Sequence, residues 1–446
     1  MSKRACLLGS LLALALCLEA GCRLATAAAR RQPARTALVA SFPTASATPT
    51  STPLPPPTAT PTLSAVVTTI AITPSFTSFG AAPSIAELGQ ALARVVAGQR
   101  DPAGAALAAL RQWGFVPESG GNLQALGGLA PVLQADVDGD GNADLIVAAV
   151  ERSSELFPAA TLLVLRSSNG GYTPLFDSYS LSQMQGPIAI LALTDLNGDG
   201  AADVVFAQEN CGAHTCFTYI TPLSCAGATC ASLADEIAAA YADRVEIADR
   251  DGDGLIEIAV HGNTYGSIGA GPQRASTTIY KLVGGSYKQD AVLYDPSDKL
   301  LFVVLDANQA LAAGDVQKAI SLYTKAIADP SLKPAGNFAG WSEQEELEAL
   351  RSFARFRLVV SYCLAGKRSA AEEALAQERQ ARGPFAPALE TFWHTFAETG
   401  DVTASCAAVT TYMQRSPEVV DIMNSFGYAN PQFRPEDMCL GAGLAP

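Results

Sequence analysis

The spacing of apolar residues changes twice along the chain. Over residues 84–114 they recur at helical intervals, Leu88, Leu92, Val95 and Val96 and then Leu107, Leu110 and Trp113, with a break at Asp101-Pro102. This predicts two short helices sharing one buried face, a cap over residues 81–118. From 119 to 298 the period shortens, and the runs 145–150 (LIVAAV), 204–206 (VVF) and 258–260 (IAV) read as strands. Residues 161–166 (TLLVLR) turn through Gly170-Gly171-Tyr172 into 173–177 (TPLFD). The same hairpin recurs where residues 277–283 turn through Gly284-Gly285-Ser286-Tyr287 into 291–294 (AVLY). From residue 299 to 446 alanine and leucine return at helical spacing, with a turn at Gly314-Asp315 between Ala313 and Ala319.

Before each of the three apolar runs stands one acidic nine-residue loop: 136–144 (DVDGDGNAD), 195–203 (DLNGDGAAD) and 249–257 (DRDGDGLIE), at intervals of 59 and 54 residues. Calcium requires six to eight oxygens from a loop able to wrap around it. Asp136, Asp138 and Asp140 offer three, as do Asp195, Asn197 and Asp199, and Asp249, Asp251 and Asp253. Position 7 (Asn142, Ala201, Leu255) varies freely and would give its carbonyl, while Asp144, Asp203 and Glu257 close each cage. Glycines at positions 4 and 6 let the backbone bend so that alternate side chains converge. An EF-hand would carry Glu at position 12 and continue as a helix, whereas position 12 here is Val147, Phe206 or Val260 and a strand follows. Up to three Ca²⁺ ions are expected, as structural ions that stiffen β-loops.

A strand, an acidic loop, a strand and a hairpin make a four-stranded blade of 55 to 60 residues. These loops and strands resemble FG-GAP/VCBS repeats, the calcium-binding blades of integrin-type β-propellers. The resemblance specifies the blade and its ion but not a function, since such blades occur in adhesins, polysaccharide-binding proteins and noncatalytic parts of enzymes. A closed propeller needs more than three blades, so a partial propeller with open edges covered by flanking helices is expected. In the C-terminal region Ala319, Tyr323 and Ala326 after Gly314-Asp315 resemble a tetratricopeptide repeat. Further copies run through Tyr362, Gly366, Ala371 and Leu375, and around Phe392 to Thr411. The alternative is a nonrepeating helical bundle. The fold class expected is thus multidomain β + α, partial propeller-like blades followed by an α-helical, tetratricopeptide-like region.

Composition adds location. The net charge of −14 gives no basic patch for nucleic acid, and eleven of the 43 acidic residues stand in the three loops. Lys3 and Arg4, the apolar stretch Leu7 to Leu18 and small residues before Cys22 read as an export signal over residues 1–22. Ala20-Gly21-Cys22 resembles a bacterial lipobox, with Cys22 lipidated, although Glu19 stands where that pattern has Leu. Residues 23–80 form a Thr/Pro-rich linker, extended where proline is dense. A cell-surface lipoprotein held to the membrane by its lipid anchor alone is expected, with simple secretion as the alternative. Cys211 with Cys216 and Cys225 with Cys230 each flank a four-residue turn and read as small disulfides. A zinc site using these thiols and His214 is the alternative, and Cys363, Cys406 and Cys439 are left without assigned pairs.

No linear catalytic motif is present. The three histidines, His214, His261 and His394, have no visible nucleophile or paired carboxylate, and residues 261–266 (HGNTYG) read as a solvent-exposed polar loop. The expectation is a noncatalytic binding or scaffold protein whose partner is a protein or glycan at the cell surface. The alternative is an exported enzyme or enzyme subunit acting on cell-wall glycans.

Overall fold

The computed structural model describes residues 79–443 apart from 117–121, 153–157, 183–185 and 337–338. Residues 1–22, read as an export signal ending at Cys22, and nearly all of the proline-rich segment lie outside the described residues.

Three antiparallel sheets follow one another. The first holds β1 (Val132–Ala135), β2 (Asp144–Val150), β3 (Ala160–Ser168) and β4 (Gly171–Asp177), in that order. In the second, β5 (Ile188–Thr194), β6 (Asp203–Cys211), β7 (Cys216–Ala226) and β8 (Thr229–Ser232) make the same meander. A fifth strand, β9 (Ala238–Ala240), pairs with the other end of β7, which its eleven residues make long enough to serve both partners. β10 (Arg244–Ala248), β11 (Glu257–Gly262), β12 (Ser276–Val283) and β13 (Ser286–Tyr294) form the third.

The sheets meet face to face, and strand alternation decides what each face touches. Leu145, Val147 and Ala149 of β2 pack with Leu88, Leu92 and Val96 of α1 (Leu88–Val96) and with Ala106 and Leu110 of α2 (Pro102–Trp113). The intervening Ile146 and Ala148 join Val204 and Phe206 of β6. Val205 and Ala207, on the opposite face of β6, share a core with Ile258 and Val260 of β11. Strands covered on both faces need no polar alternation, which is why their sequences read as continuous apolar runs. The far face of the third sheet is different. Arg244 and Glu246, both exposed, pair in register with His261 and Ala259, which are buried.

The expected helices over 84–114 are therefore present, and they cover a face of the first blade, α1 meeting the edge strand β4 and α2 the edge strand β1. A short helix α3 (Asn122–Ala125) leads from α2 to the first blade, and α4 (Ser178–Ser182) connects the first blade to the second.

Beyond β13 come α5 (Leu300–Ala312), α6 (Val316–Ala328), α7 (Glu343–Leu364), α8 (Arg368–Ala381), α9 (Ala386–Thr399), α10 (Val402–Arg415), α11 (Pro417–Asn424) and α12 (Asp437–Leu440). α5 packs on α6, α7 on α8 and α9 on α10 across short turns. Ala319, Tyr323 and Ala326 are fully buried in the α5–α6 contact, where the Tyr323 hydroxyl donates to Asn308 Oδ1 at 2.6 Å. Buried Arg357 uses its guanidinium on Tyr323, Asn308 and the carbonyls of Asp437, Met438 and Gly441, so the C-terminal turn is held to the centre of the helical core. Cys406 and Cys439 form a disulfide between α10 and α12, and Cys363 is free and buried.

The helical region is fixed to the third blade through the β11–β12 connection. Arg274 forms a two-pronged ion pair with Asp306 of α5 and stacks over Tyr294 and Phe302, 4.4 and 5.2 Å from the ring centres. The amides of Tyr428 and Ala429 donate to the carbonyls of Gly269 and Ala270. All described residues belong to one compact unit.

Candidate metal-binding loops

Each acidic loop joins the first strand of a blade to the second: 136–144 joins β1 to β2, 195–203 joins β5 to β6, and 249–257 joins β10 to β11. Positions 4 and 6 hold φ between +76° and +89° in all three, the left-handed region open to glycine. The resulting coil turns backbone amides inward. One oxygen of the position-1 carboxylate accepts from the position-4 amide and the other from the position-6 amide: Asp136 at 2.8 and 2.8 Å, Asp195 at 2.7 and 2.9 Å, Asp249 at 2.7 and 3.0 Å. The Oδ1 atoms of Asp138, Asn197 and Asp251 accept from the amides of Asp140, Asp199 and Asp253. Those of Asp140, Asp199 and Asp253 accept from the amides of Asn142, Ala201 and Leu255. Position 7 thus serves through its backbone, which is why an Asn, an Ala and a half-exposed Leu are all accommodated there.

Position 9 is the buried member. Asp144, Asp203 and Glu257 accept from the amides of Val137, Leu196 and Arg250 at 3.2, 2.7 and 2.7 Å. Burial pushes the carboxyls of Asp144 and Asp203 up. The amides of Ser167 and Val137 offset this for Asp144, and the Ser224 hydroxyl and the Leu196 amide for Asp203. Every loop also holds one buried oxygen without a hydrogen-bond donor: Asp138 Oδ2, Asp203 Oδ1 and Glu257 Oε1. Asp136, Asp138 and Asp144 each bring one oxygen within 4.8 Å of the others, as do Asp249, Asp251 and Glu257. The middle loop has Asn197 in place of the second carboxylate, with an amide oxygen available as a neutral ligand. A hard divalent cation fits this donor set: oxygen atoms only, converging from alternate positions, several desolvated and one in each loop without a hydrogen-bond donor.

Basic side chains from the third strand of the blade reach two of the loops. Arg166 Nε lies 2.6 Å from Asp138 Oδ2, close enough for an ion pair although poorly aligned for a hydrogen bond, and its Nη2 lies 3.4 Å from Asp140 Oδ2. Lys281 Nζ pairs with Asp251 and lies 3.8 Å from both Asp253 and Glu257. The Lys281 ammonium holds the Asp251 carboxyl below the usual range. The middle loop receives Ser224 instead, whose Oγ accepts from Asn197 Nδ2 at 3.1 Å. These strand residues are not legible as loop members in the sequence. Their one signal is a place at the end of the third strand, in two blades within a hairpin the sequence marks.

The cysteine assignments of the second blade hold. Cys211–Cys216 and Cys225–Cys230 are disulfides between facing residues of β6–β7 and β7–β8, which removes these thiols from any zinc site. Residue 261 departs from expectation: it lies within β11 with 9% exposure instead of opening a solvated loop. Its ring also has paired carboxylates, Asp243 Oδ1 at 2.5 Å from Nδ1 and Asp295 Oδ2 at 3.2 Å from Nε2. These partners are 18 and 34 residues away, beyond any linear pattern. A cavity of about 340 Å³ between the third blade and α5 is lined by Asn263, Tyr265, Arg274, Tyr280 and Tyr294 among others, and no carboxylate or imidazole is among its described lining residues.

Residues 136–206, covering the first two loops and the strands between them, match the family model of the FG-GAP-like repeat. No curated protein matches the chain. Among the described residues no helix is long and apolar enough to cross a membrane.

Proposed function

We propose that the protein is an exported, noncatalytic binding or scaffold protein whose blades are stabilised by calcium, held at the cell surface by a lipid on Cys22. The observation that carries the calcium assignment is the repeated loop geometry, with a buried carboxylate oxygen lacking a donor in each of the three loops. The ions are structural: they balance the excess of carboxylates in each loop and fix the link between the first two strands of each blade. Three disulfides support export, since such bonds persist in oxidising compartments.

The helical pairs after residue 299 read as a tetratricopeptide-like scaffold for a protein partner, with a glycan as the other candidate ligand of the molecule. A recess there of about 470 Å³ mixes Trp341 with Glu345, Glu348 and Arg355, so a partner with both apolar and charged groups suits it better than a purely apolar helix. The alternative, an exported enzyme or enzyme subunit acting on cell-wall glycans, would have to work without a carboxylate or imidazole among the described lining residues of the cavity beside the third blade.

Thermal melting of the full chain in Ca²⁺ and in EGTA tests the calcium assignment. A ligand held only by the folded state stabilises it by about 1 to 3 kcal/mol per site at ten- to hundredfold excess over Kd. Calcium should raise the Tm, magnesium much less, and Asp138→Ala or Asp251→Ala should remove part of the shift. Identical melting in the two buffers, with no metal found by elemental analysis, would end the calcium reading.

A further inference from the structure

Resting on the calcium reading above, we infer that the strand residue facing position 9 sets the order in which the three loops take calcium, and that the middle loop binds first. The three residues occupy one register position. Leu145 faces Leu165, Val204 faces Leu223 and Ile258 faces Tyr280, so one step along each ladder sets Arg166, Ser224 and Lys281 opposite Asp144, Asp203 and Glu257. Each also touches position 3 of its own loop: Arg166 on Asp138, Ser224 on Asn197, Lys281 on Asp251.

The pairing is matched in charge. The two loops with Asp at position 3 face a base, and the loop with Asn at position 3 faces a hydroxyl. Counting the strand residue, the first and middle loops carry a formal −3 and the third, with Arg250 at its second position, −2, so total charge does not distinguish the first two. What differs is who supplies the cation. In the first and third loops a tethered guanidinium or ammonium already lies among the carboxylates, and calcium must displace it or share its ligands. Among the described residues no basic side chain pairs with a carboxylate of the middle loop, and Asp203, 1% exposed, keeps a buried oxygen without a hydrogen-bond donor, as each of the other loops also does. The middle loop lacks the three-carboxylate cluster of its neighbours, but Asn197 keeps an amide oxygen, and calcium accepts a carbonyl ligand. A base at this position thus acts as an internal counter-ion that makes its loop less dependent on metal.

Calorimetric titration of the full chain with CaCl₂ tests this. The expected result is one step at least about tenfold tighter than the others, the scale on which ligand charge tunes calcium loops. Asp195→Asn should abolish the tight step, while Asp136→Asn and Asp249→Asn should leave it. Arg166→Ser and Lys281→Ser, both at partly exposed positions, should each tighten one weak step about tenfold, and Ser224→Lys should weaken the tight one. Equal steps, or a tight step lost with Asp136→Asn or Asp249→Asn, would overturn the ranking while leaving calcium binding intact. Absence of calcium binding by the parent chain and by the Arg166→Ser/Lys281→Ser double variant would overturn the calcium reading and the ranking together.

Discussion

The two ends of the blade stack are finished in opposite ways. On the first blade, Leu145, Val147, Ala149, Leu163 and Leu165 are covered by α1 and α2 and share one core with Leu88, Leu92 and Leu110. On the third, the outward face carries Arg244, Glu246 and His261, and its imidazole is tied to two carboxylates. The residues four beyond position 9 make the contrast sharp. In the first two blades they are Ala148 and Ala207, 1% and 0% exposed between neighbouring blades, and in the third it is His261. A row of three blades therefore needs no closure into a ring. It needs both terminal faces resolved, one by a helical lid and one by polar side chains that make a further blade unnecessary.

The largest effect should come from loosening the lid. Leu92 is fully buried against the first blade, so Leu92→Ala should cost about 3 kcal/mol of unfolding free energy in urea denaturation, through lost transfer energy and the cavity left behind. An unchanged midpoint would mean that the cap is an appendage and that the first blade holds without cover.

The contrast also separates what the sequence discloses from what it withholds. Loops, strands after them, the two glycine-turn hairpins and the cap helices all depend on neighbours within a few residues, and they are legible. Cys211–Cys216 and Cys225–Cys230 close hairpins and are legible for the same reason. Cys406–Cys439 spans 33 residues and depends on how α10 meets α12, which spacing does not reveal. β9 is hidden for a similar cause, since a three-alanine strand carries no pattern of its own and forms because β7 overruns β8. The roles of Arg166, Ser224 and Lys281 require strand register. The partners of His261 require two further segments, so the polar end of the stack is invisible until the sheet is assembled.

A second, smaller effect exchanges the two kinds of face. Ala148→His places an imidazole between the first and second blades, where overpacking and an unpartnered polar ring should cost about 2 kcal/mol. His261→Ala, on the outward face, should cost less than half as much in the same denaturation experiment. Equal losses would show that the third blade's far face is packed as tightly as an inner one and that the distinction between the two ends is wrong.

The smallest effect is electrostatic and carries a sign. The Asp243 hydrogen bond, with burial working against it and Asp295 adding to it, raises the His261 pKa above its ordinary 6.5. A pKa raised by folding gives stability that is complete below the unfolded value and is lost as pH rises through the folded value. As pH rises from below the unfolded value through the raised folded one, the parent chain should lose stability relative to His261→Ala, by less than about 1 kcal/mol. The limit follows from exposure, since the Asp243 and Asp295 side chains are 65% and 48% accessible and salt screens them. Raising ionic strength should shrink the difference further. Parallel pH profiles for parent and variant would remove the ion pairs from the account, leaving His261 to finish the stack by solvation and shape alone.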